Sequence, residues 1–159
     1  MDDPKQVNIM TKYFKILALF LSLAVCAQNV TEMKTPKEAS KKIIEFLEKK
    51  KFVQQANPNF YPGIADEKMR PILVKKINLI ATDFLNVAES KNPTDIKYQK
   101  KIEVGLSRFT EVYMELDTED REKICNYIEE LMDIVHLESS NGQLNKFMYG
   151  FDPKSKMID

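Results

Sequence analysis

Residues Glu119 to Gly142 read EDREKICNYIEELMDIVHLESSNG and hold the chain's one histidine and one of its two cysteines, among many acids. Three chemistries suit such residues: a metal centre, a thiol or serine nucleophile with a histidine base, and carboxylate acid–base catalysis. Spacing tests each. Cys125 and His136 are eleven apart, close to three helical turns, so they share a side of a helix but sit about 16 Å apart along it. One metal cannot bind both, and they cannot form a nucleophile–base pair from a single helix. Asp133 and His136 have the D-x-x-H spacing that puts two ligands on one face, but di-metal bundles need a second such motif, and the chain has no second histidine. A zinc site would need more His or Cys than the chain supplies after export processing. A Ser-His-Asp triad would have to use His136 with Ser139 beside it, without a nucleophile-elbow motif. No GxGxxG, P-loop or HExxH stands anywhere in the chain. The sequence therefore implies no metal, no cofactor and no catalytic residue. It reads Cys125 as a small packed thiol and His136 as a residue at the edge of a helix's buried stripe.

What survives is a strongly acidic helix face, with Glu122, Glu129, Glu130 and Asp133 outside a buried stripe of Ile124, Tyr127, Ile128, Leu131, Met132 and Val135. A second set, the aromatics at loops and tail (Phe60, Tyr61, Phe147, Tyr149, Phe151), has two readings: plugs for the ends of a helical domain, or anchors for a protein partner. The candidate partner-binding residues are thus Glu122, Glu129, Glu130, Asp133, Phe147, Tyr149 and Phe151.

The elements that must position these residues are helical. Thr35-Pro36-Lys37-Glu38 has the form of a capping box with Pro at the first helical position, and predicts a helix to about Phe52. Asn57 to Gly63 (NPNFYPG) reads as a turn-rich linker. Leu73, Ile77, Ile80, Phe84, Val87 and Ala88 recur at helical spacing behind Pro71. After Asn92-Pro93-Thr94 a long helix is expected from Asp95 to Leu116, with Gly105 on its buried face where a neighbouring helix comes close. Asp117-Thr118 caps the acidic helix, and Ser139 to Gly142 should stop it. "LNKFMYGFDP" suits one helical turn lying over the rest. The expected fold is all-α: an antiparallel four-helix bundle-like domain with a C-terminal aromatic tail segment. Charge adds one adjacency. Pro36 to Phe52 carries six Lys against three Glu, and Asp117 to Glu138 eight acids against Arg121 and Lys123, so the first and last helices should be neighbours or face each other across a groove.

The N-terminus reads as an address. Lys12 and Lys15 precede an apolar run from Ile16 to Val25, about 15 Å as a helix and roughly half a bilayer core. A basic start, a short apolar run and then small residues are the parts of a secretory signal peptide. Residues 1–27 are read as that signal, with Met10 a better-placed start than Met1. Residues 28–34 follow as a flexible leader, 35–153 as a single helical domain and 154–159 as a frayed tail. The alternative is a lipoprotein, because Leu23-Ala24-Val25-Cys26 resembles a lipobox with Cys26 acylated, although bulky Val25 stands where a small residue is usual. Cleavage after Ala27 leaves Cys125 alone, without an internal disulfide. No other stretch approaches transmembrane length.

Across all 159 residues, Lys plus Arg and Asp plus Glu both total 24. A chain that lives on phosphate contacts shows a basic excess, so nucleic acid is not an expected partner. The composition is 43% hydrophobic and 30% charged, that of a folded domain.

The run from FYPGI through LDTEDREKICNYIEELMDIVHLESSNGQLNKFMYGFDP resembles a small bacterial family classed only as a domain of unknown function. The resemblance spans roughly Phe52 to Pro153 and is strongest at YIEELMDIVHLESSNG and YGFDP. It implies a compact, mostly helical, exported bacterial domain, and carries no activity and no catalytic residue. The expected function is that of an exported, non-enzymatic helical protein acting through a protein partner, for which a toxin-neutralising immunity protein is a concrete version. The alternatives are a carboxylate-dependent enzyme and a small-ligand or envelope structural lipoprotein.

Overall fold

A computed structural model describes residues 35–56 and 60–150. The proposed signal peptide, leader, Cys26, Phe151 and the tail lie outside the described residues. The architecture is all-α. Its elements are α1 (Ala39–Glu48), α2 (Met69–Ala88), α3 (Asp95–Ser107), a 3-10 helix (Thr110–Glu115), α4 (Thr118–Val135) and α5 (Gln143–Tyr149). The central helix is α2, packed on α1, α3 and α4; α4 also meets α1 and α5. The expected pairing of the basic first helix with the acidic one is therefore present. Among the described residues the β-structure amounts to one isolated antiparallel bridge, Gln55 with Tyr61.

The core is made by the stripes read from the sequence: Ile43 and Phe46 of α1, Leu73, Ile77, Ile80 and Phe84 of α2, Ile102 of α3, and Ile124, Ile128 and Leu131 of α4 are all essentially buried. Contacts between α2 and α3 step backwards along the chain. Lys76 reaches the Arg108 carbonyl, Ile80 meets Gly105, and Asp83 pairs with Lys101, so the two helices run antiparallel. At the closest point a Cβ built on Gly105 would lie 2.6 Å from Cγ1 and 2.8 Å from Cδ1 of Ile80, which is why glycine sits mid-helix on a buried face.

Three expectations about element ends are corrected. Thr35 does not cap α1: its hydroxyl lies 3.1 Å from the Tyr98 hydroxyl, and α1 starts at Ala39 and ends at Glu48 rather than near Phe52. The long helix stops at Ser107, not Leu116. At this point the Ser107 carbonyl accepts the Thr110 hydroxyl at 2.8 Å, the Arg108 carbonyl accepts the Lys76 ammonium at 2.6 Å, and the chain continues as the tighter 3-10 helix. The acidic helix begins where expected, the Asp117 carboxylate accepting the Asp120 N–H at 2.7 Å, but it ends at Val135. His136 adopts φ 60°, the Leu137 N–H donates to the Met132 carbonyl at 2.9 Å and the His136 N–H to the Asp133 carbonyl at 3.2 Å. This is a Schellman stop with histidine in the usual glycine place and Leu137 buried beyond it. His136 is thus exposed and outside the helix, not packed at the edge of its stripe.

Candidate functional site

Burial of Ile124, Ile128, Leu131 and Val135 fixes how α4 is rotated. Glu122, Asn126, Glu129 and Asp133 then fall at i, i+4, i+7 and i+11, a line along the outside of the helix. They form a ridge with a depression on either side.

The larger depression, about 820 Å³, lies between α4 and the segment that leaves α1; Lys49, Lys50, Gln55, Phe60 and Tyr61 face Glu122, Glu129, Glu130 and Asp133 across it. This segment is strapped along α4 in the opposite direction. Lys49 pairs with Glu130, the Phe52 N–H donates to the Tyr127 hydroxyl at 2.8 Å, Gln55 accepts the Lys123 ammonium, and the Tyr61 hydroxyl donates to Asp120. The start of the strap is built from a buried cation. The Lys51 ammonium donates to the carbonyls of Phe46 at 2.6 Å, Lys49 at 3.2 Å and Leu47 at 3.4 Å, and sits 4.5 Å from the centre of the Phe46 ring. It ties off the last carbonyls of α1 at the negative end of the helix dipole. Burial pushes its pKa down, against the pull of Glu130. Phe52 follows at φ 57°, a left-handed conformation costly for a bulky residue. Arg70 donates to its carbonyl, and its fully buried ring packs edge-on against Tyr127 at 5.2 Å, holding it there.

Electrostatics divide the acids. Glu130 is neutralised by Lys49. Glu122, Glu129 and Asp133 have no ion-pair partner among the described residues. Cover by neighbouring atoms raises the Glu129 pKa, and the like charges of Asp133 and Glu122 raise it further. Asp120, buried beneath the cleft, is also raised by burial; Tyr61 donation opposes this, and Asp117 and Glu119 add to it. Burial lowers the Lys123 ammonium, whose charge rests 5.6 Å from the Tyr61 ring centre and 5.1 Å from that of Tyr127.

On the other side of the ridge a smaller hollow of about 310 Å³ is lined by Cys125, Asn145, Met148 and Tyr149. Cys125 is buried, and its thiol is pushed up to about 12, first by burial and then by Glu129 and Glu122, so it is a packed thiol, not a nucleophile.

The candidate residues thus separate. The four acids share one cleft. Phe60 and Tyr149 are 65% and 61% exposed and flank the ridge from opposite sides. Phe147 is largely buried, its ring 5.8 Å from that of Phe109 and 5.4 Å from that of Tyr113, and it lies away from the ridge. Cys125 and His136 do not meet. Among the described residues no group of three or more His, Cys, Asp or Glu is placed to hold a metal ion, and no helix is long and apolar enough to cross a membrane. Sequence reasoning passed over Lys49, Lys50 and Asn126 as walls of the cleft. The excess of lysine at the end of α1 was the signal for the first two.

Comparison with known proteins agrees with the fold. The family model described as "Domain of unknown function (DUF4844)" matches residues 34–152. The chain belongs to this family. A DUF3571 family protein from Acinetobacter baumannii AYE, known from a 1.95 Å crystal structure, is similar to it: 31% identity, a TM-score of 0.63, and 76% of this chain and 95% of that one covered. Comparison with curated proteins found no match. Membership of DUF4844 supports the compact helical domain that the resemblance implied, and it brings no activity.

Proposed function

We propose that this DUF4844 protein is an exported, non-enzymatic helical binding protein that acts through a protein partner, with the α4 ridge as its contact face. The observation that carries the reading is the row of Glu122, Glu129 and Asp133, without an ion-pair partner among the described residues while Glu130, one position from Glu129, is paired. Like charges three or four apart on a helix repel and cost stability, so such a row suits a partner that brings the missing positive charge. Phe60 and Tyr149, exposed at the two flanks, would add apolar contact around it. A toxin-neutralising immunity protein, its acidic ridge covering a basic active cleft, is the concrete version. Export rests on the basic start and the apolar run from Ile16 to Val25, with acylation of Cys26 as the alternative fate of that segment. The test is Glu129→Lys together with Asp133→Lys. Loss of partner capture with the helical spectrum intact supports the reading, and unchanged capture removes it.

A second reading has one specific observation behind it. A glutamate whose pKa is raised inside a cleft, with Asp133 beside it, is also what a carboxylate-dependent enzyme uses. Turnover of any substrate that falls at least about a hundredfold in Glu129→Gln would favour it.

A further inference from the structure

A pocket remote in sequence from the strap is not used by the proposed contact face. It has a volume of about 730 Å³ and lies between the end of α3, the 3-10 helix and α5, with Leu106, Tyr113 and Phe147 among its lining residues and Thr110, Gln143 and Lys146 around them. We propose that it binds a small organic acid with an apolar body, whose carboxylate is held by Lys146.

Three observations lead there. The volume falls in the range of small-molecule sites, and Leu106, Tyr113 and Phe147 give an apolar wall among polar neighbours, which suits a ligand with an apolar body and a polar end. The pocket is also preformed. Breaking α3 at Arg108 swings Tyr113 onto α5, where its hydroxyl donates to the Phe147 carbonyl at 2.7 Å and accepts from Arg121 at 3.1 Å, so the aromatic wall is locked from behind. Finally, the two charged lining residues differ in their partners. Glu103 is paired with Lys100 at 2.7 Å, the other polar lining residues are neutral, and among the described residues no carboxylate pairs with Lys146. A single cation beside an aromatic and aliphatic wall complements an anion with an apolar body. A basic or neutral ligand would leave that cation unmatched.

The test is calorimetric titration of the full chain with 4-phenylbutyrate, its neutral amide and 4-phenylbutylamine. The acid should bind, the amide should bind about tenfold more weakly or worse, and the amine not at all. Lys146→Glu should weaken the acid by at least about tenfold, Lys146→Gln by less, and Lys41→Glu on α1 not at all. Ser107→Trp, which fills the pocket, should abolish binding. If that variant does not fold, the two Lys146 variants decide. Absence of binding by the acid, equal binding of acid and amide, stronger binding of the amine, or an unchanged titration in Lys146→Glu would each overturn the proposal.

Discussion

The contact of Gly105 with Ile80 sets a sharp condition on the fold. An alanine in the middle of an isolated helix is favoured over glycine by about 1 kcal/mol. In this chain its Cβ would stand 2.6 and 2.8 Å from two side-chain carbons of Ile80, about 1 Å inside ordinary carbon–carbon contact. Ile80 is fully buried, and its branched Cβ restricts the rotamers through which it could withdraw. Overpacking of this kind costs about 1–3 kcal/mol. Gly105→Ala should therefore destabilise the chain by about 0–2 kcal/mol net, the clash outweighing the helix gain. Ile80→Ala removes both obstructing carbons and should alone cost about 2–5 kcal/mol. In that background Gly105→Ala should reverse sign and stabilise by about 1 kcal/mol, giving a coupling of about 1–3 kcal/mol. Urea unfolding of the four proteins measures this directly, provided the slopes agree. Equal stabilisation by Gly105→Ala in both backgrounds would mean that α2 and α3 do not approach as described.

Three further outcomes are expected. His136→Gly should raise stability by about 0.5–1 kcal/mol, because the stop of α4 needs a left-handed residue; a drop in melting temperature would contradict the Schellman geometry. Glu129→Gln should stabilise by about 0.2–0.5 kcal/mol at neutral pH, by removing a charge that is partly covered and by ending its repulsion from Asp133 and Glu122. Because the folded pKa of Glu129 is raised, the stability it contributes is present when it is protonated and is lost as pH rises through that pKa. The advantage of the glutamine variant should therefore fade below about pH 4, and a difference constant with pH would count against the ridge electrostatics. Cys125 should resist maleimide labelling in the native chain at pH 7 and react promptly in urea, whereas fast native labelling would show it accessible.

Much of this fold was legible in the sequence because its helices carry their buried faces as regular stripes. Gly105 could be placed against a neighbour from its position on such a stripe, Asp117 could be read as a cap, and the charges of α1 and α4 foretold their contact. The misread features arise where side chains from distant positions compete for backbone groups. Lys76 takes a carbonyl from the end of α3, and nothing near Arg108 signals it. Thr35 has every mark of a cap, yet its hydroxyl turns to Tyr98. His136 stops α4 without the glycine that would announce a Schellman turn, and the plain stop signal in the sequence lies later, at Ser139 to Gly142. The acidic row could be read from periodicity, but the cleft could not. It depends on residues 49–55 and Tyr61 lying along α4, pinned by Lys51 and the strained Phe52 through contacts with α2 and α4. Phe147 and Tyr149, two apart in a short helix, looked alike as aromatics, and only the packing separates a core residue from a surface one.

Site-specific photo-crosslinking tests the central claim most directly. A photoreactive residue at Asn126, exposed between Glu122 and Glu129, is compared in extracts of the native host with one at Lys75, exposed on α2. The expected result is one discrete protein adduct from position 126, absent from position 75 and lost when Glu129→Lys and Asp133→Lys are added. Equal adducts from both positions, no adduct from 126, or an adduct that survives the charge reversal would contradict the assignment of the α4 ridge as a partner-binding face.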